Sequence, residues 1–458
     1  MDSNKNVLME KASIVIKESE NLGASQIQVS MTLADTALTR LANSIIDQNV
    51  ADRRSVVSIY LYYGKKQGSV RFEVFEDDAL IEATRVAAKL AKVSPISDDI
   101  VSLPEPHPYS KAFDESDLIA LSSINATPEQ RAEFAMNAVA IAHDTDPRIK
   151  SVAGAISHAV SENVLVNNLG VEAYEKATRS NINLTVLAED GSEETAGWCE
   201  DRRRGFGDLM VKEVAEIAAQ KAADGFGMKY IDPGDYEVVL EPAAMGDFMF
   251  FLSFFGFSAR AYQDYRSFLR DRIGEKMFSE KFTLLDDATD IRFVDATKYD
   301  SEGYPKSRIE LVNAGVVKNI VYDSKTAAVD GVKSTGHNAR SMGRSLPIAN
   351  HMILEDGDSS VEEMIAETGN GILVTHFHYQ NAVDPTQGTF TGLTRDGAWY
   401  IKNGEIQYPL KTLRYTDAAP RFLGDIDLIG KYTEINTSDA IVPPVKLPSF
   451  RITGSSKE

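Results

Sequence analysis

Apolar residues recur at helical spacing over residues 4–21, where Leu8, Ala12, Val15 and Leu22 share one stripe and Gly23 offers a left-handed stop. The pattern then switches to strict alternation. Ile27, Val29, Met31 and Leu33 lie on one face of residues 26–33, and residues 55–63 and 69–75 flank a Gly-Lys-Lys-Gln-Gly turn. This predicts a helix followed by an antiparallel sheet. Asp77 or Asp78 can cap a second helix carrying Leu80, Ala83, Ala87 and Leu90, and the aperiodic stretch 93–108, rich in Pro and Ser, reads as a linker.

Thr127-Pro-Glu-Gln130 is a strong helix start. The Thr hydroxyl can accept a backbone N–H, Pro128 loses no needed donor, and Gln130 can complete a capping box, so a helix is predicted to about His143. Strand-like runs follow at 149–160, 164–166, 171–176, 181–187 and 193–200, separated by Ser-Glu-Asn, Asn-Asn-Leu-Gly and Glu-Asp-Gly turns. Asp208 is placed to cap a helix to about Ala223, and the main domain boundary is expected between Phe226 and Pro233. Beyond Tyr236 one apolar helix gives way to strands and turns, with Asn403-Gly404 a hairpin signal. The expected fold class is α+β: an N-terminal region of antiparallel sheets flanked by helices, and a C-terminal domain dominated by antiparallel sheet. The segments are 1–108, 109–230 and 231–458.

At 458 residues the chain exceeds what one hydrophobic core usually supports, in line with several domains. The formal charge of −20 opposes binding to nucleic-acid phosphate or anionic lipid. Arg202-Arg203-Arg204 is the local exception; it could grip an anionic substrate or partner, or form a solvated loop paired with Asp201 and Asp208. A single cysteine excludes a disulfide framework and a multi-thiolate site, so a reducing, cytoplasmic setting is expected. Met1-Asp-Ser-Asn-Lys-Asn leads into an amphipathic stretch and not a targeting segment, and no window reaches membrane-span length.

Several motifs agree in order and spacing: Tyr236-Glu-Val-Val-Leu-Glu-Pro242, Arg266-Ser-Phe-Leu-Arg-Asp-Arg-Ile-Gly-Glu275, Leu284-Leu-Asp-Asp287, Ser334-Thr-Gly-His337 and Ile401-Lys-Asn-Gly-Glu-Ile406. With Thr39-Arg-Leu-Ala-Asn43 and the helix end at 87–95, they resemble the TldD/PmbA (TldD/TldE) family over nearly the whole chain. That resemblance implies a peptidase-like fold in which TldD-type members carry His-Glu-x-x-x-His after the Val-Val-Leu-x-Pro strand and a Cys near the C-terminus. Counted without gaps from Pro242, the three positions fall on Phe250, Phe251 and Phe255, and the lone cysteine is Cys199. Phenylalanine can neither ligate zinc nor act as a general base. The resemblance is therefore to the TldE/PmbA side of the family, whose members pair with a TldD subunit.

Six phenylalanines fall within residues 245–260, apolar nearly all round, which implies burial, a subunit interface, or both. In the metal-bearing relatives the two His stand five residues apart, roughly 140° around an ideal helix, so such a site needs a distorted helix; Gly256 could keep that geometry without the ligands. His376 and His378 sit two apart on an expected strand, with imidazoles on one face. They could hold a metal with His337, His351 or Asp384 as third ligand, line a ligand groove, or make ordinary hydrogen bonds. Ser334, Thr335, Gly336 and His337 suit backbone contacts with a peptide, or form a turn the fold requires. Asp286-Asp287 and Asp300 with Glu302 read as turn residues and solvated charges more readily than as a cation site, and Cys199 beside Trp198 as a buried small hydrophobe.

The expected function is cytoplasmic peptide proteolysis or maturation by a TldE-like subunit that needs no metal of its own, paired with a zinc-bearing TldD-type subunit, with no nucleic-acid or membrane partner. The alternatives are an autonomous homodimeric metallopeptidase with a relocated site around His376 and His378, and a peptide-binding protein without catalysis.

Overall fold

The structure, a computed structural model, describes residues 4–341 and 344–455. Met1, Asp2 and Ser3 of the N-terminal reading lie outside the described residues. The chain opens with helix α1 (Lys5–Asn21), the long hairpin β1 (Gln26–Ala42) and β2 (Ile45–Tyr63), strand β3 (Lys66–Phe72) and helix α2 (Asp77–Val93). Helix α3 (Pro128–Thr145) follows, then β4 (Ile149–Asn167), β5 (Glu172–Asp190), β6 (Glu193–Arg203) and α4 (Val211–Ala223). The six strands form one antiparallel sheet in the order β3-β2-β1-β4-β5-β6. Segments 1–108 and 109–230 thus each give three strands to a single sheet, joined by the β1–β4 ladder from Gln28↔Asn167 to Leu41↔Gly154.

Helices cover this sheet in two pairs. Leu8, Ala12 and Val15 of α1 and Leu80, Ala87 and Ala88 of α2 pack on Ile27, Val29, Val57 and Ile59. Helices α3 and α4 pack on Ile149, Val152, Ile182 and Leu184. Glycines set the closeness of two contacts: a Cβ at Gly68 would stand 2.2 Å from the Ala87 carbonyl oxygen, and one at Gly197 2.1 Å from that of Ala218. Only a hydrogen fits there.

Three local expectations change. Residues 161–163 form no turn, because β4 runs unbroken through them. Glu162 pairs with Lys176 at 3.2 Å and accepts from Tyr174, while Asn163 accepts from Thr32, so cross-strand partners satisfy the polar run. Neither Asp77 nor Asp78 caps α2: Glu76 holds the N-cap position, and Asp77 pairs with Lys11 of α1. Asp208 ends a short 3-10 turn, and α4 begins three residues later at Val211. The Thr127–Gln130 capping box is formed as expected.

The C-terminal region starts with β7 (Gly234–Leu240) and helix α5 (Pro242–Phe255). Its main strands are β8 (Asn370–Asp384), β9 (Thr389–Lys402), β10 (Glu405–Pro409), β11 (Leu413–Ala418) and β12 (Val445–Ser455). Their pairing closes on itself in the circuit β8-β7-β12-β11-β9-β8, antiparallel except for the parallel β7–β8 pair, with β10 on the outer part of β9. A small sheet built on residues 284–286, 309–313, 316–317 and 352–354 lies in the same region. The α+β class holds.

Candidate functional site

Helix α5 carries the aromatic block. Its buried side, with Met245, Phe248, Met249 and Leu252 at 0–1% exposure, faces the strand circuit. There Phe248 meets Phe422 at 4.8 Å, Phe377 at 5.2 Å and Tyr415 at 5.6 Å between ring centres. On the other side Phe250 is 54% exposed and touches only its helix neighbours Phe251 and Phe254 among the rings, at 5.4 and 4.9 Å. Phe251 and Phe255 are half-buried against Phe390. The block is therefore partly core and partly an exposed aromatic face. The helix stops at Gly256, where the N–H groups of Gly256 and Phe257 both donate to the Leu252 carbonyl.

The β8–β9 hairpin packs on this helix through Phe377 and brings His376 against the six-stranded sheet. Phe377 enters the core, while the His376 ring lies 4.6 Å from that of Trp198 on β6. Burial, with the nearby cations Lys221 and Arg395 and with His378, pushes the His376 imidazole down to about 3. It is neutral at working pH. Its Nε2 faces Asp396 at 3.5 Å, and its buried Nδ1 has no hydrogen-bond partner among the described residues. Arg395 donates to His378 Nε2 at 3.0 Å, which occupies that nitrogen's lone pair. Lys221 reaches across to Glu241 at 2.7 Å, tying α4 to the start of α5. A cavity of about 290 Å³ opens beside this cluster, lined by Lys221, Arg395, Asp396, Gly397 and Trp399 among others.

The residues named as a third ligand are each committed elsewhere. His337 binds Asp286, His351 Nε2 faces the Asp295 carbonyl at 3.3 Å, and Asp384 closes its own turn with Thr386. Among the described residues, no group of three or more His, Cys, Asp or Glu side chains is arranged to hold a metal ion. Zinc wants thiolate, imidazole or carboxylate donors; Phe250, Phe251 and Phe255 supply none, so the residues at the family's ligand positions do not fit the metal. Cys199 is buried, and burial pushes its thiol up to about 12, which makes it inert.

The Ser334–His337 loop turns its polar groups inward. Ser334 and Thr335 donate to the Tyr322 carbonyl at 3.3 and 3.0 Å, and Thr335 Oγ1 accepts the Tyr322 N–H at 2.8 Å. Gly336 has φ +72°, and a Cβ there would stand 2.0 Å from the Pro305 carbonyl. His337 is fully buried, with Nδ1 2.8 Å from the Thr335 carbonyl and Nε2 2.8 Å from Asp286 Oδ1. The ring is thus held between the Thr335 carbonyl and the Asp286 carboxylate. The solvated reading of the acids is corrected here. Asp286 and Asp300 are 0% and 4% exposed, because His337 and the His351 N–H satisfy the first, and the N–H groups of Glu302, Tyr304 and Asn338 satisfy the second.

Asp247 was not singled out from the sequence. Its signal was a lone acid in an apolar helix, Met-Gly-Asp-Phe-Met-Phe-Phe. It accepts the Phe377 N–H at 3.0 Å, and burial, reinforced by nearby Glu200, pushes its carboxyl up to about 7. A carboxyl raised above its unfolded value of about 3.9 leaves stability intact at low pH and erodes it as pH rises through 7. Asp247→Asn is therefore expected to match the parent near pH 4 and exceed it at pH 8 by up to about 4 kcal/mol, read as urea midpoints. A difference independent of pH would remove Asp247 from this role.

A helix-covered antiparallel sheet followed by a closed strand circuit packed on an aromatic helix defines an α+β protein. Residues 233–454 match the PmbA/TldA metallopeptidase C-terminal domain, and residues 122–225 the central domain of the same name. The chain belongs to the PmbA/TldD family. It is 23% identical to the metalloprotease PmbA of Escherichia coli O157:H7 over 99% of this chain and 98% of that one. It is 31% identical to an uncharacterized protein of Methanocaldococcus jannaschii over 57% of this chain and 60% of that one. In fold it matches TldE from Thermococcus kodakarensis with a TM-score of 0.88, at 22% identity, covering 97% of this chain and 100% of the other.

Proposed function

We propose that this chain is a TldE-like subunit that serves cytoplasmic peptide proteolysis or maturation by building a substrate chamber with a zinc-bearing TldD-type subunit. The observation that carries the reading is Phe250: an aromatic side chain, 54% exposed, standing on α5 where the resemblance places a metal ligand. An exposed ring beside Phe251 and Phe254 offers apolar area for a partner and no donor for a metal. The relatives' metalloprotease names support the peptide-processing side of the proposal. No helix among the described residues is long and apolar enough to cross a membrane, and the strongly acidic charge disfavours nucleic acid as a partner. We assign His376 and His378 to the peptide path, with Trp198 and Asp396 beside His376.

Light scattering tests the pairing. The mass of this chain mixed with a TldD-type subunit is expected to equal a complex containing both, formed at the expense of either chain alone. Two species that pass through independently at micromolar concentration would overturn the proposal.

A further inference from the structure

A second cavity, of about 490 Å³, lies between the end of β6 and residues 432–442, and Pro242 at the start of α5 forms part of its wall. Four arginines line it, Arg202, Arg203, Arg204 and Arg292, against two carboxylates, Asp208 and Glu434. In a chain with a formal charge of −20 this is a local reversal of sign. The arginines are held to different degrees. Arg203 Nε donates to both oxygens of buried Asp201 at 2.9 and 3.0 Å, and Arg292 donates to Asp290 from Nε at 3.1 Å and Nη2 at 2.7 Å. The other two are less committed. Arg202 pairs with Glu200 at 2.8 Å and with Asp439, whose side chain is 90% exposed. Arg204 donates one hydrogen bond, to the Phe293 carbonyl, and its buried Nε has no partner among the described residues.

We propose that this cavity is a subsite for acidic peptide segments, in which Arg202 and Arg204 bind carboxylate groups of the chain being processed. The inference rests on the peptide-handling reading above and names the chemistry of the peptide. A guanidinium fork matches a carboxylate, and a hydrogen bond to a charged group is among the strong ones when partly withdrawn from water. Arg204 lines the cavity with one hydrogen bond committed, and its buried Nε, unpaired among the described residues, gains an acceptor when the guanidinium turns toward a bound carboxylate, which offsets the cost of leaving that donor unmade. Arg202 can exchange partners cheaply, because an ion pair to an almost fully exposed Asp439 gains little. Asp439 marks the place a substrate carboxylate would take.

The test is fluorescence anisotropy with the full chain and two labelled peptides of equal length, one rich in Asp and Glu and one with Asn and Gln in their place. The acidic peptide is expected to bind about tenfold more tightly, with the preference lost in Arg202→Gln/Arg204→Gln. Asp439→Asn, a surface change that leaves folding intact, is expected to tighten the acidic peptide severalfold and leave the neutral one unchanged. Equal binding of the two peptides, or no gain in Asp439→Asn, overturns the subsite. Competition by inorganic phosphate without any preference between the peptides would assign the cavity to free oxyanions and overturn it equally. Partner-dependent cleavage is untouched by either result, so the subsite and the proposed function fail separately.

Discussion

Replacing His337 by alanine is expected to lower the unfolding free energy by about 3–5 kcal/mol, because it strands a fully buried carboxylate without its side-chain partner. Asp286 is 0% exposed, and among the described residues its remaining donor would be the His351 N–H at 2.8 Å. Burial by itself would raise the Asp286 carboxyl; His337, aided by His351 and Lys306, holds it down to about 2. The sign follows. A carboxyl depressed below its unfolded value of about 3.9 contributes stability that is full above pH 4 and is lost as pH falls through 2. His337→Ala should therefore unfold at lower denaturant at pH 7, with its deficit against the parent shrinking in acid. The double variant Asp286→Asn/His337→Gln should lose less than the sum of its parts, since no buried charge is left behind. Additive losses with no pH dependence would show that the two do not act as an ion pair.

The second large effect is on association. Phe250→Asp is expected to weaken pairing with a TldD-type subunit by about 2–4 kcal/mol, the scale of an aromatic anchor in a well-packed interface. At 54% exposure the same change should leave the chain's own stability within about 0.5 kcal/mol. Phe248→Ala is the opposite case, with its ring enclosed by Phe377, Tyr415 and Phe422, and should cost folding stability instead. Complex formation titrated by light scattering and unfolding followed in urea separate the two. Undiminished pairing of Phe250→Asp would leave the exposed ring unexplained.

Local chemistry was the legible part of the sequence. The Thr127 capping box, the α1 stripe through Leu8, Ala12 and Val15, and the buried Cys199 all depend on neighbours a few residues away or on a residue's own character. Elements that rely on distant partners were read less well. Glu162 looked like a turn because its cation, Lys176, lies on another strand. Asp286 and His337 stand 51 residues apart, so the sealed pair they form leaves no local signal at either position. The ladder that merges the first two segments into one sheet joins residues more than a hundred positions apart and left no local trace. His376 and His378 were placed on a strand, but Trp198, Lys221, Asp396 and Arg395, which decide what those rings can do, come from three other elements.

The most direct measurement is the rate of peptide cleavage by this chain alone and after mixing with a TldD-type subunit, each with zinc and with chelator. The expected result is no cleavage by the chain alone in either condition, and cleavage in the mixture that chelator abolishes and zinc restores. Metal-dependent cleavage by the chain alone, lost in His376→Ala or His378→Ala, would contradict a partner-dependent subunit and establish a relocated metal site in its place.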